Sequence, residues 1–283
     1  MGQKDNKIKI LVCYYQPEKL PKEDIYFPIQ AGKAISKFKL NVQGDDIGDN
    51  ISAKNETFSE LTAWYWGWKN IKTIYPNIEY IGLSHYRRFF ALNEPFEEYT
   101  KIYKNKIPKM YNYENLIIKK LKKKDIIMVK PASFGCDLKT QYERWHNIKD
   151  YFCLKNIIHE IYPEYDKTFT NFFEENKKIS LYCMFISKFE LFDRYFEWVF
   201  PILFEMEKRI DTSEYDPYQK RVIAFLAERL INIYVIHNRL RVDYEPIYYI
   251  DGERLIDYNI KNIFRKIIKF IMPYGFVRRY QDR

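Results

Sequence analysis

Gly44–Phe90 reads GDDIGDNISAKNETFSELTAWYWGWKNIKTIYPNIEYIGLSHYRRFF, and its unbroken passage from loop to helix to strand decides the fold class. Gly44 to Asn55 sets acidic and amide side chains between glycines, residues that favour loops because they compete for backbone hydrogen bonds. Asn55 stands where a helix N-cap is expected, and Glu56 adds negative charge to the first turn. Leu61, Trp64, Trp68, Ile71 and Tyr75 recur at spacings of three and four, which predicts one apolar helical stripe over Asn55–Tyr75 before Pro76 and Asn77 end it. Glu79–Ser84 then reads as a short buried strand delivering His85, Tyr86, Arg87 and Arg88 at its C-terminal end, where open α/β sheets bind ligands.

The flanking chain extends this pattern. Ile8–Tyr15 is an apolar run broken only by Lys9, expected as the first central strand of a parallel sheet with Tyr14 to Pro17 on the ligand side. Asp125–Val129, soon stopped by Pro131, predicts another. Gln30, Gly32 and Lys33 lie in an irregular segment, where approach to a nucleotide and an ordinary surface loop are both open. Asn93–Asn112 lacks a clean period and reads as a long loop, and Tyr113–Lys124 as a short helix ending in a solvated lysine run. Further on, Thr140–Phe152 reads as a helix carrying Arg144, Trp145 and His146, and Ile179–Ser187 as an apolar run. Phe189–Ile210 and Glu214–Ile236 read as long helices. On the last of these, Arg221 and Glu228 stand two turns apart, where stacked side chains can pair. With no repeat and no low-complexity linker, the expectation is one α/β domain over 1–258, a central, mostly parallel sheet flanked by helices, and a C-terminal segment over 259–283.

Composition narrows the function. A chain of 283 residues suits one ordinary core. Cys13, Cys136, Cys153 and Cys183 form no C-x-x-C pair, so neither a zinc site nor a disulfide framework is signalled, and a reducing cytoplasm is favoured. The N-terminal apolar run is too short for a signal peptide, and no segment approaches the roughly 18 apolar residues of a membrane span. The net charge is +9, with seven basic residues between Lys261 and Arg283 against Asp282 alone. Ile260, Ile263, Phe264, Ile267, Ile268 and Ile271 share a helical face there, which predicts a basic amphipathic helix that docks on the inner membrane surface or packs on the domain. RNA binding would interleave basic and aromatic residues over a sheet face, so a terminal basic excess argues against nucleic acid. The chain has no GxxxxGK[ST], GxGxxG, GxSxG or HExxH, and the chemistries those motifs serve lack their parts.

GDNIS-x-KN, ELTA-x-YW-x-WKN and YIGLSHYRRFF, then Met184–Phe200 and Tyr218–Leu230, resemble in order the signature of a bacterial family of capsular and exopolysaccharide biosynthesis glycosyltransferases. The resemblance runs over nearly the whole chain. It implies a GT-A-like fold and transfer from a nucleoside-diphosphate sugar, with a UDP-linked, galactose-type donor expected, to a lipid-linked or growing oligosaccharide. The protein would work in the cytoplasm, peripheral to the inner membrane. The resemblance implies roles for Asp45, Asp46, Asp49, Asn50, Lys54, Asn55, Glu60 and Tyr86 toward the donor, His85, Arg87, Arg88 and Glu228 toward catalysis, and Arg221 toward the acceptor; the imidazole of His146, useful at neutral pH, is an acceptor candidate beside its reading as a core residue. The family usually has asparagine before Met184; this chain has Cys183, so that amide contact is not carried over.

GT-A enzymes usually place an Asp-x-Asp metal triplet after a central strand, and this sequence has none; Asp243-Tyr244-Glu245 and Asp251-Gly252-Glu253 come nearest. Negative charge on a departing diphosphate must be neutralised by a metal or by fixed cations. Arg87 and Arg88 with His85 could do so, although strand alternation would turn only one arginine toward the ligand. Asp45, Asp46 and Asp49 could hold Mn2+ or Mg2+, accept hydrogen bonds from ribose, base or sugar, or cap the following helix. A non-catalytic nucleotide- or sugar-binding module, or less readily an RNA-binding protein, is the alternative.

Overall fold

The computed structural model describes residues 7–94, 99–102 and 112–250. Its first half runs β1 (Ile8–Tyr14), β2 (Tyr26–Gln30), β3 (Gln43–Gly44), α1 (Asn55–Phe58), α2 (Leu61–Ile74), β4 (Tyr80–His85), β5 (Arg88–Phe90), β6 (Tyr99–Ile102), α3 (Tyr113–Leu121) and β7 (Ile126–Val129). Then follow β8 (Ala132–Ser133), α4 (Leu138–Trp145), α5 (Ile148–Ile161), α6 (Asp166–Glu174), β9 (Lys178–Ile179), β10 (Phe185–Lys188), α7 (Phe189–Arg209), α8 (Val222–His237), β11 (Val242–Glu245) and β12 (Ile247–Ile250).

The spine of the main sheet runs β11-β7-β10-β4-β1-β2-β3, and β10 alone on that path is antiparallel to its neighbours. The three apolar runs read as central strands therefore lie in one sheet. β1 is buried at all seven positions because both faces of the sheet are covered. On one face Leu11, Cys13, Ile29, Ile81 and Leu83 join a core with Trp64, Trp66, Phe196 and Leu226. On the other, Ile10, Val12, Tyr14 and Ile186 join Ile117 and Leu121 of α3 and Phe89, Phe90 and Tyr248 of the β5–β12 pair.

Several boundaries depart from the sequence reading. Asn55 is not an N-cap: Lys54 holds that position, and the Asn55 amide donates to Ser59 O at 2.6 Å and Thr62 Oγ1 at 3.0 Å. The single helix expected over Asn55–Tyr75 is broken at Ser59, whose φ of 49° ends α1 before α2 starts. Thr140–Phe152 is likewise two helices. His146 is extended between them, and the Asn147 side chain caps α5 by accepting from Lys149 N. Residues 214–218 are not helical, and Ser180–Met184 is a loop between β9 and β10. The segment read as a long loop contains β6. Asp251-Gly252-Glu253 and the amphipathic segment over 259–283 lie outside the described residues. Among the described residues no helix is long and apolar enough to cross a membrane.

Candidate active site

The site begins with two loops locked together at the C-terminal ends of β2 and β3. The Asp45 carboxylate is fully buried and accepts from Gly32 N at 2.8 Å, Lys33 N at 3.0 Å and Ser52 Oγ at 2.5 Å, while Ser52 Oγ accepts from Ala34 N at 3.0 Å. Gly32 has φ of 62°, and a Cβ there would lie 2.3 Å from Asn55 Cγ, so glycine alone lets the Asn55 side chain rest on this turn. Asp45 and Asn55 thus build the cradle from within. Asp46 meets Lys33 at 3.6 Å, Asp49 accepts from Tyr65 OH at 3.1 Å, and Asn50 closes its own turn by accepting from Ser52 N at 3.2 Å. Lys54 pairs with Glu207 of α7 at 2.7 Å, on the outer side of the cradle.

Next to the cradle, β4 ends in a tight hairpin: His85 pairs with Arg88, leaving Tyr86 and Arg87 in the turn. The hairpin replaces the extended run of four side chains expected from sequence, and it splays the two arginines. Arg87 lies over the Tyr86 ring and 3.5 Å from Glu18, while Tyr86 OH donates to Tyr15 OH at 2.8 Å. The Arg88 guanidinium stacks on Tyr182 at 4.2 Å and on Tyr249 at 5.1 Å, and its buried Nε has no hydrogen-bond partner.

His85 sits beside Cys13 of β1, with its ring edge-on to Trp64 at 5.7 Å. Its Nε2 lies 2.8 Å from Tyr182 O; a carbonyl only accepts, so that nitrogen carries the proton. Burial pushes the His85 pKa down, Glu60 opposes this, and Arg88 and Arg221 add to it. His85 is therefore neutral at pH 7 and contributes a directed donor rather than charge. The next atoms of the same backbone are held from the other side, where Tyr182 N donates to Glu228 Oε1 at 2.6 Å. Glu228 Oε2 pairs with the buried Arg229 at 3.0 Å, so both oxygens are engaged and the expected Glu228–Arg221 pair does not form. Arg221 instead reaches across to the joint between α1 and α2, donating to Ser59 Oγ at 3.0 Å and standing 3.9 Å from Glu60.

Clamped in this way, Tyr182 and Cys183 hold φ values of 74° and 50°, and Ser59 across the site holds 49°. Left-handed backbone in non-glycine residues costs on the order of 1–3 kcal/mol each and gathers at functional sites. Sequence reasoning missed Tyr182 and Ser59. The one sequence signal was the asparagine that the resemblance implies in place of Cys183, since asparagine tolerates this conformation better than most side chains. Burial raises the thiols of Cys13 and Cys183 well above their usual range, so neither is a ready nucleophile.

His146 stands apart from this group. Its ring lies against Tyr142 at 4.7 Å and Phe225 at 4.3 Å, with Nδ1 3.3 Å from Gln219 Oε1. Among the described residues no three His, Cys, Asp or Glu side chains form a cluster that could hold a metal ion. Asp45 is saturated by protein donors, and Asp243 and Glu245 of the nearest Asp-x-Asp variant both pair with Lys120.

Comparison with protein families matches residues 9–239 to a family described as a domain of unknown function (DUF4422). Among solved structures, one titled "WbbM bifunctional glycosytransferase apo structure" is similar at 31% identity and a TM-score of 0.78. The match covers 88% of this chain and 46% of that one, so the chain spans about half the length of that neighbour. Comparison with curated proteins gives no match.

Proposed function

Because the chain belongs to the DUF4422 family, and because its fold is that of part of a bifunctional glycosyltransferase, we propose that it transfers a sugar from a nucleoside-diphosphate donor to a saccharide acceptor. The observation that carries this reading is the gathering of Glu60, His85, Arg88 and Arg221 around the left-handed Tyr182–Cys183 backbone, at the ligand edge of the sheet. Arg88 and Arg221 supply fixed positive charge for the departing diphosphate, and the partial burial of Arg88 makes its charge more effective than that of the exposed Arg221. His85 and Glu228 are positioning residues that hold Tyr182 from its carbonyl and its N–H. Glu60 is placed to accept sugar hydroxyls. A UDP-linked, galactose-type donor and a lipid-linked or growing oligosaccharide of a surface polysaccharide are the substrates this reading expects.

A panel of nucleotide sugars, with release of nucleoside diphosphate as the readout, tests it. Turnover of at least one donor is expected, and binding without turnover across the panel would make the protein a sugar-nucleotide-binding module. Arg88→Ala should cost about 100-fold or more in kcat, as losing one charge-stabilising donor does elsewhere. Arg87→Ala, whose side chain turns to Glu18, should cost less than about tenfold. Activity is expected to persist in EDTA. Loss that Mn2+ restores would instead give Asp46 and its neighbours a metal-binding role.

A further inference from the structure

Beside the proposed site lies a surface that contains none of the residues gathered around Tyr182 and Cys183. After β2 the chain turns back on the strand end it has just left. The fully buried Gln30 side chain holds it there, donating from Nε2 to Phe38 O at 2.6 Å and accepting from Leu40 N at 2.9 Å. Ser36 Oγ accepts from Phe38 N at 3.1 Å, Gly32 O accepts from Ile35 N at 3.0 Å, and Leu40 packs into the second core. With the backbone fixed in this way, Ile35 and Phe38 stand outward, 53% and 51% exposed. Lys37 and Lys39 are exposed between and after them, and the segment from Ala31 to Gln43 contains no carboxylate. Tyr15 and Ile47, exposed at the loops leaving β1 and β3, stand at the same edge.

Single exposed apolar residues are ordinary, but large ones on neighbouring loops, interleaved with lysines and held out by a buried amide, form a built surface. We infer that this edge seats on an anionic bilayer, with Ile35 and Phe38 entering the headgroup boundary and Lys37 and Lys39 lying on the anionic headgroups. Within Ala31–Gln43 the lysines stand without a carboxylate, which favours an anionic surface over a neutral apolar partner; Asp46 and Asp49 flank Ile47, which lies at the rim of the contact. The purpose of such docking rests on the proposed lipid-linked acceptor, since it would bring the ligand edge to where that acceptor's head emerges. The docking itself is read without turnover, so the two readings fail separately.

Sedimentation of the full chain with phosphatidylglycerol vesicles, set against phosphatidylcholine vesicles, tests the inference. Ile35→Ala with Phe38→Ala, and separately Lys37→Glu with Lys39→Glu, should each weaken partitioning by about tenfold, the charge pair also showing a shallower salt dependence than the wild type. Hydrolysis of a soluble donor should stay at the wild-type level in both. As a reporter that needs no loss of folding, Phe38→Trp should gain quenching by brominated acyl chains beyond the wild-type level. Unchanged binding in both pairs overturns the inference, whether attachment then follows the terminal basic segment or the cleft of about 320 Å3 that Lys122, Lys124, Lys188, Arg194 and Arg241 line at the opposite edge. So does a wild-type chain that ignores anionic vesicles at low salt, or a Phe38→Trp signal that vesicles leave unmoved.

Discussion

Two buried titratable groups set how this protein should respond to pH, and they act in opposite directions. His85 has its pKa lowered chiefly by burial, so below about pH 6.5 the unfolded chain takes up the proton first. Its contribution to stability is complete above that value and is lost as pH falls through it. His85→Gln keeps a donor for Tyr182 O and cannot titrate, so denaturant midpoints of the variant should fall less than those of the wild type between pH 7 and pH 5. Asp150, 3% exposed, is pushed up to about 6 by burial, against the opposing hydrogen bond that Tyr215 donates at 2.7 Å. Here the native state takes up the proton first, so the contribution is present below about pH 4 and lost as pH rises through about 6. Asp150→Asn keeps an acceptor for Tyr215. It should stabilise the protein at pH 8 by on the order of 1–3 kcal/mol and leave stability at pH 4 nearly unchanged, by thermal melts at both values.

At the scale of elements, close approach outranks propensity. Gly67 lies mid-helix in α2, and a Cβ there would sit 2.2 Å from Leu11 Cδ1, the end of a fully buried side chain of β1. Alanine favours a helix by about 1 kcal/mol over glycine, yet overpacking a core costs about 1–3 kcal/mol. Gly67→Ala should therefore lower the denaturant midpoint despite the better helix former. The link between α8 and the loop before β10 gives a sharper test. Glu228→Ala frees the Tyr182 N–H and leaves Arg229, 3% exposed, without its carboxylate, which should cost about 3–5 kcal/mol. Glu228→Gln still offers an oxygen to Tyr182 N, so a positioning role predicts kcat within about tenfold of wild type. A folded Glu228→Gln protein without turnover would make this carboxylate a direct participant.

On the scale of the whole molecule, two cores share one sheet, with β1 buried in both directions, so neither core can open without exposing the strand that serves the other. Far-UV dichroism and tryptophan fluorescence should accordingly report one coincident unfolding transition; separated midpoints would mean two units. The terminal basic residues test another expectation drawn from the chain as a whole. Reversing Lys261, Arg265, Lys266 and Lys269 to glutamate in the full chain should weaken vesicle binding further, if that segment joins the ligand-edge loops on the bilayer.

Short apolar runs such as Ile10–Tyr14, rich in β-branched residues, read as strands covered on both faces, so the sequence by itself pointed to a mostly parallel sheet and to the edge at which the polar residues emerge. It also determined that Asp45–Ile51, the greater part of Gly44–Asn55, is a loop and that Arg87 and Arg88 come directly after the central strand. Local pattern is enough for such statements, because burial and turn chemistry act over a few residues. Only the tertiary structure decided which arginine turns to Tyr182 and which to Glu18, since a two-residue hairpin cannot be told from an extended strand end by composition. It decided as well that Glu228 holds a backbone N–H 46 residues away, and that Arg221 answers to Ser59 and Glu60 rather than to its own helix. Those partners lie far apart in the chain, and no spacing encodes them. They meet because β10 runs antiparallel between β4 and β7, which brings the Tyr182–Cys183 loop beside His85.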